Sequence, residues 1–192
     1  MKKQIIDQLL ESADIKKQLA DKYVDDIARA ADICVTVIKS GGKIMLCGNG
    51  GSAADSQHLA TELVVRLSGD RDRQALPAIA LTTDTSTLTA CANDFGFDQV
   101  FSRQVEALGK SGDVLIAIST SGNSPNVIKA VEAAKRQNIG SIGFAGKIIG
   151  QLSKLADMTI AVPSDNVQRI QEAHITIGHI IISLIEQEIF KA

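Results

Sequence analysis

The sequence predicts an α/β fold: a buried parallel sheet of five strands sandwiched by helices, with a helical arm in front. Three observations predict it. Five short runs, residues 44–47, 78–81, 114–118, 139–144 and 158–162, are apolar without a polar face, as strands covered on both sides must be. Segments long enough for helices separate them. Two of the runs end in loops rich in glycine or serine that lead into helices, which is where open parallel sheets bind ligands.

Taken in order, residues 3–39 read as helical. Ile5, Leu9, Ile15, Leu19, Ile27, Ala31, Val35 and Ile38 recur at steps of three and four. The polar middle of this stretch suits two helices, and Gly41-Gly42 closes it. Its apolar stripe needs a partner surface, from the rest of the domain or from another subunit. The run at 44–47 stops at Gly48-Asn49-Gly50-Gly51-Ser52, and a helix follows over 53–67. The run at 114–118 stops at Ser119-Thr120-Ser121-Gly122-Asn123-Ser124, and Pro125 marks a helix start. Residues 167–190 read as one last helix. The chain is thus a single domain, 1–192, with an arm at 1–40 and an α/β body at 41–192.

Composition narrows the function. With 192 residues the chain can bury a full core. A net charge of −2 and no aromatic-studded basic run argue against nucleic acid and anionic membrane as partners. No stretch is apolar for long enough to span a bilayer, and the first residues lack the apolar core of a signal peptide. Cys34, Cys47 and Cys91 are scattered and odd in number, which argues against a disulfide framework or a cysteine zinc site. A reducing, cytoplasmic setting is expected.

The two loops have the chemistry of an anion site. Glycines at 48, 50 and 51 let backbone approach a ligand, and amides at a helix start favour negative charge. The second loop offers the hydroxyls of Ser119, Thr120, Ser121 and Ser124, and Ser124 is placed to cap the helix at Pro125. Neither loop has a Walker lysine or GxGxxG spacing. Hydroxyls and amides without a fixed cation suit a small phosphomonoester. The plainer alternative is that both loops are only turns and caps, but two such loops at successive strand ends favour a ligand.

Only three histidines occur: His58, His174 and His179. His58 and Glu62 are four apart and share a helix face. They suit a metal or a proton-transfer site, against the plainer reading of a helix-surface pair. The last helix carries Gln171, Glu172, His174 and His179 among isoleucines, where polar groups need partners. His174 and His179 also read as satisfied core histidines. Gln171 and His179 are eight residues apart, about 12 Å along a helix, too far to reach one ion from one straight helix, so they either serve different sites or meet across a subunit boundary. By rotation Glu172 aligns better with His179 than Gln171 does, and spacing alone leaves both open.

These residues closely resemble the phosphoheptose isomerases within the sugar-isomerase (SIS) domain family. The resemblance spans essentially the whole chain. It is most specific at 47–52, 58–63, 92–97, 101–104, 112–124, Arg169-Ile170-Gln171-Glu172, His174 and His179. It implies a flavodoxin-like five-stranded sheet, a homotetramer with sites between subunits, and conversion of sedoheptulose 7-phosphate to D-glycero-D-manno-heptose 7-phosphate. That reaction opens bacterial heptose synthesis for lipopolysaccharide or other surface glycans. It also implies zinc, one per subunit, at His58, Glu62, Gln171 and His179, so that it selects Gln171 over Glu172. Sugar contacts are implied at Asn49, Gly50, Gly51, Glu62, Asn93, Asp94, Ser119, Thr120, Ser121, Ser124 and Gln171, and Ser52 belongs to the same first loop. Glu62 and His179 are the expected acid–base pair. One departure is visible: Gly146-Lys147-Ile148-Ile149-Gly150 stands where relatives carry a Gly-Lys-Asp-Gly-Gly-like turn, which bears on loop shape. The rival functions are a non-catalytic SIS regulator that binds the replication initiator, and another phosphosugar isomerase. The retained Glu62 and His179 count against the first.

Overall fold

The computed structural model describes residues 1–69, 72–148 and 150–190. Five parallel strands, β1 (Ile44–Gly48), β2 (Ala78–Ala80), β3 (Val114–Ser119), β4 (Gly140–Ala145) and β5 (Met158–Ala161), form one sheet in the order β2-β1-β3-β4-β5. The helices are α1 (Lys2–Lys22), α2 (Val24–Lys39), α3 (Gly51–Val64), α4 (Thr85–Phe95), α5 (Ser102–Leu108), α6 (Pro125–Arg136), α7 (Gln151–Leu155) and α8 (Val167–Ile189). All five predicted strands are present, within two residues of their expected ends.

Alternation along the strands divides the core in two. Ile44, Leu46, Val114, Ile116, Ile118, Ile142, Phe144 and Ile160 pack against α1, α2, α3 and α8. Met45, Cys47, Leu115, Ala117 and Ala145 face the opposite layer, with Val105 of α5, Val127 and Val131 of α6, and Leu152 of α7. Residues 44–48 pair with 114–118 of β3, so both faces of the two central strands are covered. That is why these runs lack the polar alternation of a half-exposed strand. β2, at the edge, is three residues long and leaves Ile79 half-exposed.

The predicted arm is two helices that break at Tyr23. Gly41, at φ 79°, turns the chain after α2, and its N–H reaches Ile38 O at 3.0 Å; a side chain there would be strained. α2 is not an appendage: Ile27, Ala30, Ala31, Cys34 and Val35 are part of the sheet's own core. α1 buries side chains only in its second half, at Ile15 and Leu19. Its Ile5, Ile6, Leu9 and Leu10 are each more than half exposed on a single chain.

Because β1 has β2 on one side and β3 on the other, the chain reverses its winding between β1 and β3. Crevices open at the carboxyl ends of strands at such a point. Both candidate loops leave these two strands.

Candidate active site

After β1 the chain turns through Asn49 and Gly50 into α3, where Ala53 and Ala54 donate to Gly50 O at 3.0 and 3.1 Å. Ser52 is buried in the first turn. A Cβ on Gly51 would lie 2.5 Å from Gln171 Nε2, so Gln171 of α8 lies directly over the first loop. Glycine at 51 leaves room for the end of the Gln171 side chain.

After β3, three serines converge. Ser119 is buried, and its Oγ lies 2.9 Å from Ser124 Oγ and 3.4 Å from Ser121 Oγ. Gly122 N–H closes the turn on Ser119 O at 3.0 Å. Ser124 occupies the N-cap position of α6, but its hydroxyl does not cap the helix. It faces Ser119 instead, which corrects the capping role expected from sequence. The hydroxyl is directed into the loop rather than onto the helix.

The two loops are tied together. Asn49 and Asn126 exchange side-chain amide bonds, each 2.8 Å, and Asn126 also accepts from Val127 N–H at 3.0 Å. Asn126 was not singled out from sequence, since a polar residue in a first helical turn is ordinary. Only its burial, at 2 % exposure, reveals the pairing. The turn that departs from its relatives lies against the serine loop. Gly146 N–H donates to Thr120 O at 3.1 Å, and a Cβ on Gly150 would lie 2.4 Å from Gly122 O. Ile149 of that turn lies outside the described residues.

Two turns along α3, a second group forms. His58 Nε2 lies 2.8 Å from His179 Nε2 and 3.4 Å from Glu62 Oε1. The two rings meet edge to face, with centroids 5.0 Å apart. Ligand atoms of His58, Glu62 and His179 all lie within 4.8 Å of one another. α3 and α8 can approach this closely because of Gly178, where a Cβ would lie 2.5 Å from Leu59 Cδ2. Two imidazoles and a carboxylate form a donor set suited to zinc, with a position open for a ligand. His58 is half-exposed, so the group is reachable.

Gln171 stands apart from this trio, at the level of Gly51 and eight residues from His179. That is about 12 Å along α8. Glu172, the rotational rival, pairs with Arg169 at 2.8 Å. Arg169 in turn donates to Gln8 O of α1 at 2.6 Å. Rotation aligns Glu172 with His179, but the stripe that meets α3 runs through Gln171 and Gly178, one position behind. Asn93 and Asp94 sit exposed at the end of α4, with Asn93 Nδ2 bonded to Asp94 Oδ1 at 2.7 Å. Asp94 lines a separate depression with Asp84 and Arg103.

Two groups around the site have shifted acidities. Asp55 lies one turn before His58 on α3. Burial pushes its carboxyl up to about 6, with His58 opposing, and its Oδ2 has no hydrogen-bond partner. Its three-residue spacing from His58 puts both side chains on one face of α3. His174 is fully buried behind the serine loop. Its Nε2 meets Ala145 O at 3.1 Å, and burial holds its pKa down at about 4. It is a neutral core histidine but only half-satisfied, because its buried Nδ1 has no hydrogen-bond partner among the described residues.

A doubly wound parallel sheet with a hydroxyl-lined loop at its switch point is the architecture of the SIS-domain class. A family model for the SIS domain matches residues 9–146. Over 192 residues the chain is 48 % identical to a phosphoheptose isomerase of Sulfurimonas denitrificans, covering 99 % of this chain and 97 % of that protein. It is 49 % identical to one of Akkermansia muciniphila, covering 99 % of each. The solved phosphoheptose isomerase GmhA of Neisseria gonorrhoeae superposes with a TM-score of 0.91 at 42 % identity, covering 97 % and 98 % of the two chains. That of Francisella tularensis gives 0.92 at 38 %, covering 96 % and 97 %. The chain belongs to the phosphoheptose isomerases of the SIS domain family, and it is a phosphosugar isomerase.

Proposed function

We propose that this isomerase interconverts sedoheptulose 7-phosphate and D-glycero-D-manno-heptose 7-phosphate through an enediol, the opening step of bacterial heptose synthesis. The observation that carries the reading is the meeting of Glu62 and His179 on adjacent helices, beside a serine loop at the neighbouring strand end. Such a reaction needs two acid–base groups near adjacent carbons. It also needs a distal anchor that holds those carbons in place.

In this reading the hydroxyls of Ser119, Thr120, Ser121 and Ser124 hold the phosphate. Asn49, Gly50, Gly51, Ser52 and Gln171 line the sugar chain. Glu62 removes the proton from the carbon next to the carbonyl and returns it to the neighbouring carbon. His179 moves protons between the two oxygens. His58, Glu62 and His179 would hold zinc, with Gln171 as the fourth ligand the family resemblance implies. When bound, the ion polarises the carbonyl and stabilises negative charge on oxygen.

A homotetramer is part of the proposal. The exposed Ile5, Ile6, Leu9 and Leu10 of α1 supply an apolar face for a second copy. Gln171 and the exposed Asn93 and Asp94 would then complete a neighbour's site.

The test is exchange of carbon-bound hydrogen in deuterated water, at C1 of sedoheptulose 7-phosphate and at C2 of the aldose formed from it, followed by NMR. Wild type should exchange and form the aldose. Glu62→Gln and His179→Ala should each lose at least about a hundredfold in rate. Full exchange in either variant would remove the assignment.

A further inference from the structure

α3 and α8 run side by side in the same direction and touch at three levels. Gln171 covers Gly51, Gly178 meets Leu59, and Glu186 accepts from Leu67 N–H at 3.1 Å. The third level contains a charged pair that the proposed reaction does not use. Arg73 lies on the segment between α3 and β2, and its side chain is 1 % exposed; that of Glu186 is 4 % exposed. Arg73 Nε donates to Glu186 Oε1 at 2.5 Å. Its Nη1 donates to the carbonyls of Leu63 and Gln74, both at 2.9 Å. Its Nη2 donates to the carbonyl of Glu62 at 2.7 Å. The guanidinium carbon stands 5.7 Å over the ring of Phe190.

An ion pair this dry adds little stability over a well-packed apolar pair, because both charges leave water. What it supplies is geometry. A guanidinium is a rigid planar fork, which an ammonium cannot imitate. Here the fork grips carbonyls of the last turn of α3, which have no partner within the helix, and places positive charge at that helix's negative end. One of those carbonyls belongs to Glu62 itself. Through Glu186 the same guanidinium holds α8 seven residues beyond His179, about 10 Å along the axis. A slip of α3 along α8 would move Glu62 and His58 together away from His179.

We propose that Arg73 and Glu186 are positioning residues: a buried clip that fixes the register of α3 on α8, and with it the separation of Glu62 and His58 from His179. The inference rests on the reading of that trio as the reacting centre of the isomerase.

The test compares wild type with Arg73→Met/Glu186→Met, which removes both charges and leaves neither unpaired. The double variant should unfold cooperatively, as wild type does. Its kcat for sedoheptulose 7-phosphate should fall about tenfold to a hundredfold with KM little changed, as expected for misplaced reacting groups. Metal-free protein titrated with Co2+, read by visible absorption, should bind about tenfold more weakly or worse. A folded double variant with wild-type kcat and cobalt affinity would overturn the clip, whatever its melting temperature. Should the double variant not fold, Arg73→Lys decides by the same two readings, because it keeps the charge and loses the fork. Losses in both support the clip, and wild-type values in both reject it. Wild type that neither isomerises the sugar nor binds cobalt rejects the reading of the site and the clip with it. An active wild type beside an unchanged variant rejects the clip alone.

Discussion

His58 and His179 approach through their Nε2 atoms at 2.8 Å, although 121 residues separate them in the chain. One nitrogen must donate and the other accept, so the pair is poised between a shared proton and a shared ion. Glu62, 3.4 Å from the same His58 nitrogen, adds the negative charge that favours a cation.

Zinc should therefore stabilise the fold. At a hundred times its Kd, an ion that binds only the native state adds about 2.7 kcal/mol. Chelator-treated protein should melt at a lower temperature and recover on adding zinc, as followed by circular dichroism. His58→Ala should fold but show no zinc-dependent shift.

The two glycines on the α3–α8 seam should respond differently. In Gly178→Ala the new methyl meets Leu59 Cδ2 at 2.5 Å and Cδ1 at 2.6 Å, inside a packed core. A loss of about 1–3 kcal/mol is expected in urea unfolding, together with weaker metal binding. In Gly51→Ala the obstacle is the end of Gln171, a flexible side chain that can swing aside. Stability should change little, while KM for the sugar phosphate rises because Gln171 has left its place.

His174 should make the protein acid-sensitive. Its folded pKa of about 4 lies below the ordinary 6.5. Between these values the unfolded chain binds the proton and the folded chain does not, so stability rises with pH there. The contribution is complete above about 6.5 and is lost as pH falls toward 4, on the order of 3 kcal/mol in all. Asp55 acts in the opposite sense: its raised pKa stabilises the fold as pH falls through about 6. Because Asp55 contributes alike to both proteins, the difference isolates His174: from pH 7 to 4 the urea midpoint of wild type should drop relative to that of His174→Gln.

Asn126→Ala should uncouple the two loops. It leaves the Asn49 amide without its partner in a half-buried position, which costs about 1–3 kcal/mol. Phosphosugar KM should rise more than kcat falls, because the change touches the anchoring end. Steady-state kinetics alongside urea unfolding would separate the two effects.

The sheet was legible because strands covered on both faces must be apolar throughout, as residues 44–47 and 114–118 are. The two loops were legible because glycine and serine clusters at strand ends have few other uses. The trio was half legible: His58 and Glu62 lie on one helix face, but nothing local pairs them with His179. That contact depends on Gly178 letting two helices close together. Rotation left Gln171 and Glu172 both open; the stripe facing α3 is centred on Gly178 and carries Gln171, while Glu172 pairs with Arg169. Arg73, Glu186 and Asn126 gave no signal, since their partners are 113 and 77 residues away. The break at Tyr23 was foreseen only as a possibility, and the depth to which α2 enters the core was not.

The parallel course of α3 and α8 has one more consequence. The stretch from Gly51, under Gln171, to the ring of His58 is a rigid ruler. Its length is set by seven helical residues at about 1.5 Å each and not by any loop. A single inserted residue between Ser52 and His58 would lengthen it slightly, but it would also turn His58 and Glu62 by about 100° and point them away from His179. On the proposed reading, the reach from the first loop to His58 and Glu62 therefore changes only in whole helical turns.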